Sequence, residues 1–205
     1  MGRHDDVERF DRWAPSYERH WMQRVLFGRI QQAVLDVAAS QVPDPVAVLD
    51  VGCGTGRLLR ATRERFPSAL LAGIDPAPEM VRQARSNTPP GAAIEFQEGA
   101  AESLPFRADE FDLVFSTMTF HHWADQARAA GEIRRVLTVQ GRWVLADLMA
   151  RGVMRYIRRL FKLNRMPERS ELDAMLGEHG LRIVGTRSVS GLGSQVTVLA
   201  IGRKD

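Results

Sequence analysis

Short apolar runs alternate with helical patterns through the middle of the chain. The first run, 46–51, is apolar at all positions but one, which is typical of a strand buried on both faces of a parallel sheet. The same alternation predicts further strands at 70–74, 93–97, 111–116 and 143–148, with helices at 57–65, 79–86 and 124–137. Five strands separated by helices predict a parallel sheet that carries helices on both faces.

The two ends of the chain follow other patterns. Residues 5–40 are helical in character, and Pro43 ends this region. Near the C terminus a helix is predicted at 168–179, followed by strands at 181–189 and 195–202. Their short connection favours an antiparallel pair. The predicted fold class is α/β: a single doubly wound, mostly parallel seven-stranded sheet with an antiparallel C-terminal strand.

Composition narrows the class of protein without naming a function. The 205 residues, 44% hydrophobic and 26% charged, suffice for one domain with a sizeable core. The formal net charge of +3 is too small to indicate a nucleic-acid partner. Cys53 is the single cysteine, which suits a reducing compartment. No secretory signal and no run of ~18 apolar residues is found, so we expect a cytoplasmic protein.

A glycine-rich loop, 50–56, follows the first predicted strand and precedes a helix. Because glycine has no Cβ, such a loop lets the backbone approach a ligand, and ligands of doubly wound sheets bind at the carboxyl ends of strands. A dinucleotide-binding fingerprint would need glycine where Arg57 stands, and no Gly-Lys-Ser/Thr follows as in a Walker loop. A tight turn without a ligand is the remaining alternative.

The segment Asp50-Val51-Gly52-Cys53-Gly54-Thr55-Gly56 resembles motif I of class I S-adenosylmethionine-dependent methyltransferases, in the small-molecule branch that includes the ubiquinone and menaquinone methyltransferases. The resemblance implies a Rossmann-like fold, S-adenosylmethionine as cofactor and S-adenosylhomocysteine as product. It also implies that the loop wraps the methionine part of the cofactor. The candidate cofactor-binding residues of this loop are Asp50, Gly52, Cys53, Gly54 and Gly56.

Asp75 ends the second predicted strand, where the family places an acid that binds the ribose hydroxyls. A carboxylate suits a bidentate grip on two hydroxyl groups. The alternative is that Asp75 caps the helix that follows, and both roles can hold together. Pro76 and Met80 resemble the residues that contact adenine in the family, although Met80 also suits an ordinary core position.

A third stretch, 97–106, resembles the family pattern Gly-Asp-Ala-Glu-x-Leu-Pro-Phe. Ala100 stands where the family has the Asp that accepts a hydrogen bond from the adenine amino group. The resemblance implies that the backbone of Ala101 and the side chain of Glu102 take over part of this contact. Since one hydrogen bond contributes ~1 kcal/mol net, the departure bears on cofactor affinity more than on cofactor identity.

The fourth strand ends at Ser116 and Thr117, and His121 and His122 follow shortly after. In the resembled family the transferring methyl group points to this place, so Ser116 and Thr117 are candidate cofactor contacts. Either histidine is a candidate general base, because imidazole titrates near neutrality. The alternative is that the histidines pack, cap the next helix or orient the loop. No third ligand at a recognisable spacing supports a metal site.

Two further segments bear on the surroundings of the site. Residues 10–17 resemble the family's N-terminal segment, which folds over the cofactor and would place Tyr17 near the methionine carboxylate. An amphipathic docking helix is the alternative.

The segment 151–165 holds six Lys or Arg residues and no acid. It suits transient contact with a membrane surface, an acidic acceptor or nucleic acid, or a solvated lid helix. Nucleic acid is not favoured, since the sequence offers no RNA-binding appendage.

The expected organisation is a single methyltransferase-like domain over 1–205. It divides into an N-terminal helical cap (1–42), a cofactor-binding core (43–148), a basic lid or insertion (149–170) and a C-terminal helix with a hairpin (171–205).

The resemblance implies an enzyme that transfers a methyl group to a small-molecule acceptor by in-line displacement. The sulfonium already activates the methyl group, so the main task is alignment, which can contribute ~7–11 kcal/mol. A catalytically degenerate module that binds S-adenosylmethionine or a partner protein is the alternative, and Ala100 is its best support. An oxidoreductase is disfavoured by Arg57.

Overall fold

A seven-stranded sheet forms the centre of the computed structural model, which describes residues 28–149, 167–191 and 194–204. The strands are β1 (Ala47–Val51), β2 (Leu70–Asp75), β3 (Ile94–Glu98), β4 (Phe111–Thr117), β5 (Leu137–Leu148), β6 (Leu181–Gly191) and β7 (Ser194–Arg203). Their order is β3-β2-β1-β4-β5-β7-β6. All pairs are parallel except those that β7 makes with β5 and β6. The predicted fold class is confirmed, and the antiparallel strand lies inside the sheet rather than at its edge.

Helices cover both faces of the sheet. They are α1 (Gly28–Gln41), α2 (Arg57–Arg65), α3 (Pro78–Asn87), α4 (Gln126–Val136) and α5 (Arg169–Glu178), with a short 3-10 turn at Phe120–His122. The first three helices share one apolar cluster, to which Ile30, Leu59 and Val81 belong. The last two share the other cluster, through Ile133 and Leu172. Burial on both faces explains why the strands read as continuous apolar runs.

The strand β5 begins earlier than the sequence pattern predicts. We expected a strand at 143–148, but the chain passes directly from α4 into β5 at Leu137, without a loop. Leu137 is buried and pairs with Phe111, whereas Val139 is 64% exposed, and the register of the β4–β5 pair shifts immediately after Phe111. The irregular stretch lacks the alternation that marks a strand, so pattern alone misses it.

Two predicted segments fall largely or wholly outside the described residues. The N-terminal cap is described only from residue 28 onward, where α1 lies, and the basic segment 151–165 is not described. The proposed division of the chain into a cap, a core, a lid and a C-terminal unit therefore stays a prediction. Within the described ranges, no helix is both long and apolar enough to cross a membrane.

The strand order reverses at β1. From β1 the chain continues to β2 and β3 on one side, then crosses to β4 and β5 on the other. The carboxyl ends of these parallel strands meet at one edge of the sheet, and a crevice forms at such a switch point. The loops that carry the sequence motifs all leave the sheet at this edge.

Gly56 and Gly54 form a matched pair for testing the packing of the loop after β1. Both have a positive φ, +75° and +53°, but a Cβ at Gly56 would lie 2.7 Å from the Phe96 ring and one at Gly54 would meet open space. We expect both alanine substitutions to lower the free energy of unfolding by ~1–2 kcal/mol, because alanine is strained at a positive φ. Gly56→Ala should lose a further ~1–3 kcal/mol from overpacking. Urea unfolding measures both, and equal losses would contradict the packing described for Gly56.

Candidate active site

A pocket, partly open to solvent, lies at the carboxyl edge of the sheet where β1, β2 and β4 end. The candidate residues that line it are Gly52, Gly54, Asp75, Pro76, Met80, Ala100, Ala101, Glu102, Thr117 and His122. Motifs that are up to 70 residues apart in sequence thus meet around one cavity.

The glycine loop borders the pocket with its backbone. Gly52, Gly54 and Gly56 all adopt a positive φ. The N–H groups of Gly52 and Cys53 donate to the Ile74 carbonyl at 2.8 and 3.0 Å, which ties the loop to β2. A Cβ at Gly52 would lie 2.1 Å from the Thr119 hydroxyl oxygen. A side chain is therefore excluded at this turn, and the backbone itself can contact a ligand.

The Asp75 carboxylate holds two loops together. Its Oδ2 accepts from the Gly54 N–H at 2.9 Å, and its Oδ1 accepts from the Ala77 N–H at 3.0 Å, at the start of α3. Ala77 is the N-cap residue of α3, so Asp75 stabilises the turn before the helix and is not the helix cap considered from sequence. Asp75 also lines the pocket, and each carboxylate oxygen can accept more than one hydrogen bond. The same side chain thus suits a ligand hydroxyl as well.

Asp50 and Cys53 are buried and do not line the pocket. Burial, together with the negative charge of Asp75, raises the pKa of Asp50 to about 8. Burial, with the two carboxylates, also raises the pKa of the Cys53 thiol, which makes it unreactive. A cation in the pocket would favour the charged form of Asp50, because opposite charges stabilise each other at short range.

The loop after β3 supplies another wall of the pocket. Ala100 and Ala101 line it, as does Glu102. Glu102 Oε1 accepts from the backbone N–H groups of Ala124 and Asp125 at 2.8 and 3.2 Å. Glu102 is the residue that we expected to replace the missing Asp side chain in part. One oxygen of its carboxylate instead holds the segment before α4 in place.

Ser116 and Thr117, at the end of β4, have different surroundings. The Ser116 hydroxyl is fully buried and accepts from Trp143 Nε1 at 3.1 Å, so its side chain belongs to the core. Thr117 lines the pocket, and its buried hydroxyl has no hydrogen-bond partner among the residues that the structure describes. Met118 follows with φ +56°, an uncommon conformation for a residue with a side chain. A buried hydroxyl of this kind at a pocket is a candidate ligand contact.

His121 is paired with an acid that the sequence analysis missed. Its Nδ1 lies 2.6 Å from Asp147 Oδ1, and its backbone N–H donates to Asp147 Oδ2 at 3.2 Å. Asp147 lies near the end of β5 and is 1% exposed. His122 lines the pocket, and the two imidazole rings are 4.0 Å apart between centroids. An acid near the end of an apolar strand, as at Asp50 and Asp75, was the available signal for Asp147.

No described group of three His, Cys, Asp or Glu side chains is arranged to hold a metal ion. The described lining of the pocket offers backbone groups, carboxylates, threonine hydroxyls and the imidazole of His122.

Known proteins resemble this chain in both sequence and fold. The family model described as a methyltransferase domain matches residues 49–145. The chain is 33% identical over 190 residues to a malonyl-[acyl-carrier protein] O-methyltransferase of Geobacter sulfurreducens, with 85% of this chain and 69% of that protein covered. It is 36% identical over 143 residues to a demethylmenaquinone methyltransferase of Thermus thermophilus, with 67% and 63% covered. The alignments thus span about two thirds of the length of these relatives.

Among solved structures, the chain is similar in fold to the magnesium protoporphyrin IX methyltransferase of Synechocystis with bound SAH. The TM-score is 0.71 at 20% identity, and the match covers 90% of this chain and 88% of that one.

Asp50→Asn tests the buried charge through the pH dependence of stability. An unfolded Asp titrates near ~3.9, whereas folded Asp50 titrates at about 8. The unfolded state therefore releases this proton first, and the ligand-free protein loses stability as the pH rises between these values. We expect Asp50→Asn to raise the Tm at pH 8 and to bring no gain at pH 4.

Asp36 serves as the control, because its pKa is shifted in the opposite direction to that of Asp50. The side chain of Gln32 and then the Arg187 guanidinium hold the pKa of Asp36 below its usual range. Asp36→Asn should therefore lower the Tm slightly at pH 8, and this loss should shrink as the pH falls through the pKa of folded Asp36. A Tm gain for Asp50→Asn that is the same at pH 4 and pH 8 would rule out the charge as its cause.

Proposed function

The chain belongs to the S-adenosylmethionine-dependent methyltransferases, and from this premise we propose which residues hold the cofactor and what kind of acceptor they serve. The supporting observation is the pocket at the ends of β1, β2 and β4, where the glycine loop meets Asp75. We propose methyl transfer to a small molecule bound in this pocket. Apart from Ala100 the cofactor motifs are complete, and no finding favours the catalytically degenerate alternative.

The pocket residues fit S-adenosylmethionine. The backbone of Gly52 is exposed to the pocket at a place where a Cβ would collide, so it can approach the methionine part closely. In our proposal the carbonyl groups of the loop, with Asp50 behind them, attract the methionine ammonium. Asp75 accepts from the ribose hydroxyls. Tyr17, which lies outside the described residues, stays a predicted contact.

The adenine ring has its own proposed position in the pocket. Pro76 and Met80 line one wall, while the backbone of Ala100 and Ala101 forms another. An apolar surface beside backbone polar groups suits a flat heterocycle with a hydrogen-bonding edge. In our proposal adenine therefore lies beyond the ribose, on the β2–β3 side of the glycine loop.

S-adenosylmethionine, when bound, supplies an electrophilic methyl group on a sulfonium. The residues of this chain then have to align an acceptor with that methyl group and keep water away. Trp123 and Met118 line the pocket and contribute apolar surface for this purpose. Alignment of two reactants in a closed site can account for a large share of the barrier reduction.

We propose a small molecule as the acceptor class, because the acceptor group named for each of the two relatives, a malonyl group on an acyl-carrier protein or demethylmenaquinone, is a small organic group. Contact of 151–165 with a membrane surface remains a prediction outside the described residues. We also propose the cytoplasm as the compartment, since Cys53 is a buried free thiol that suits a reducing environment.

Calorimetric titration with S-adenosylhomocysteine tests the cofactor site. We expect micromolar binding by the wild type. Asp75→Ala should weaken it at least ~10-fold, because hydrogen bonds to a charged group contribute ~1.5–3 kcal/mol. Asp75→Asn, which keeps one accepting oxygen, should lose less and guards against a folding defect in the alanine variant, as thermal unfolding will show. Asp173→Ala, which removes an exposed acid of α5, should bind like the wild type. Absence of wild-type binding would refute the cofactor site.

Ala100→Asp tests the adenine position by a gain of affinity. A carboxylate at residue 100 would accept from the adenine amino group, so we expect about fivefold tighter binding of S-adenosylhomocysteine, equivalent to ~1 kcal/mol. S-inosylhomocysteine carries an oxygen in place of that amino group and should show no gain. An equal gain for both ligands would place the effect elsewhere.

A further inference from the structure

We propose that the pocket is open at the amino edge of adenine and therefore binds S-adenosyl ligands that carry a large substituent on the adenine amino nitrogen. The inference rests on the proposed function and names a further class of ligand for the same site. Ala100 and Ala124 would be the residues that decide this selectivity, and Glu102 would fix the distance between them.

The position of the ribose decides which edge of the base faces the loop after β3. In our proposal Asp75 binds the ribose at the end of β2, and β3 is the next strand outward. The Gly99 N–H donates to the Asp75 carbonyl at 3.1 Å, so this loop starts beside the ribose-binding residue. In adenine the ribose is attached to the five-membered ring and the amino group to the six-membered ring. A ribose held at Asp75 therefore directs the amino edge outward, toward Ala100.

Two alanines border the pocket beyond this edge. Ala100 and Ala124 both line it, and Ala100 is half-buried whereas Ala124 is exposed. Each presents a single methyl group, which neither extends over the pocket nor accepts a hydrogen bond. The Ala100 carbonyl accepts from the Ser103 N–H at 3.1 Å, which closes the turn of the loop. The side chain at residue 100 thus neither selects the amino group nor covers it.

The Glu102 carboxylate connects the two segments that carry these alanines. Its Oε1 accepts from the Ala124 and Asp125 N–H groups at 2.8 and 3.2 Å, and Glu102 is 8% exposed. Hydrogen bonds to an ionised, largely buried carboxylate are strong, so this connection holds the loop after β3 at a fixed distance from the segment before α4. The opening between Ala100 and Ala124 is thus part of the folded protein, and a ligand need not create it.

A substituent on the amino nitrogen can pass through this opening into solvent. In an enclosed site, an added group would have to displace packed atoms, which is unfavourable. Substitution at the amino nitrogen leaves the two faces of the ring unchanged, so the proposed contacts with Pro76 and Met80 persist. We therefore expect a large group at this position to change the affinity little.

The first test compares two ligands of the wild type by calorimetric titration. One is S-adenosylhomocysteine, and the other is the same compound with a benzyl group on the adenine amino nitrogen, called the benzyl analogue below. We expect the two dissociation constants to agree within about fivefold, a difference of less than ~1 kcal/mol. A larger loss of affinity for the benzyl analogue would overturn the inference.

Leucine substitutions test whether the benzyl group passes between the two alanines. Ala100→Leu and Ala124→Leu each place a branched side chain at the opening. In both we expect the ratio of the two dissociation constants to rise at least ~10-fold in favour of S-adenosylhomocysteine, because the benzyl group would overlap with packed atoms. Ala174→Leu makes the same change on the exposed face of α5 and should leave the ratio as in the wild type.

Thermal unfolding shows which leucine variants are folded, and either folded variant is sufficient for the comparison. A ratio that stays at the wild-type value in the folded variants would overturn the inference, because the benzyl group would then leave the pocket by another path.

Saturation-transfer NMR locates the benzyl group without any substitution in the protein. Protons of a bound ligand receive saturation according to their closeness to the protein. For the benzyl analogue bound to the wild type, we expect strong saturation of the adenine ring protons and much weaker saturation of the phenyl protons. Equal saturation of the two groups would show an enclosed benzyl group and would overturn the inference.

Failure of this inference can be told apart from failure of the proposed function. Absence of S-adenosylhomocysteine binding by the wild type would refute the cofactor site on which both depend. If S-adenosylhomocysteine binds and the benzyl analogue does not, the cofactor site stands and the open amino edge alone is refuted.

Discussion

The Asp75 carboxylate binds the loops that follow β1 and β2 to each other, and the shape of the pocket depends on this contact. Gly54 and Ala77 belong to different turns, and both backbone N–H groups point to the same side chain. Loop N–H groups have no ladder partner, so each needs an acceptor of another kind. Asp75 supplies it and still faces the pocket. Folding of the two loops and recognition of a ligand hydroxyl therefore draw on one carboxylate, which leaves little freedom at this position.

A second acid makes the ligand-free site electrostatically unfavourable. Asp50 is buried near Asp75, and the resulting rise of its pKa means that the neutral form is the stable one without a cation. A positively charged ligand reverses this preference, so part of its binding free energy goes into ionising Asp50. Functional sites commonly keep such locally unfavourable groups, and stability elsewhere in the fold compensates. The fully buried strand β1 and the largely buried strand β4, which lie at the switch point, provide that stability here.

Much of this arrangement could be predicted from the sequence, because it depends on local patterns. The glycine loop, Asp75 and the succession of strands along the chain follow from apolar runs and their terminating residues. The pairing of His121 with Asp147 could not be predicted, since the two are 26 residues apart and meet only through the β4–β5 register, which shifts after Phe111. The opposite surroundings of Ser116 and Thr117 depend on the same register. The local pattern of apolar and polar residues does not indicate such a shift. The left-handed backbone at Met118 could not be predicted either, because the residue there is not a glycine.

The acids at the carboxyl edge differ in their partners, and this difference separates two kinds of chemistry. Asp75 supplies negative charge on the β1–β2 side and raises the pKa of the buried Asp50, which suits a cationic cofactor. Asp147, two strands away from β1, is committed to His121 and to backbone N–H groups. The carboxylate that faces the pocket thus lies on the Asp75 side, whereas the carboxylate of Asp147 fixes the position of His121.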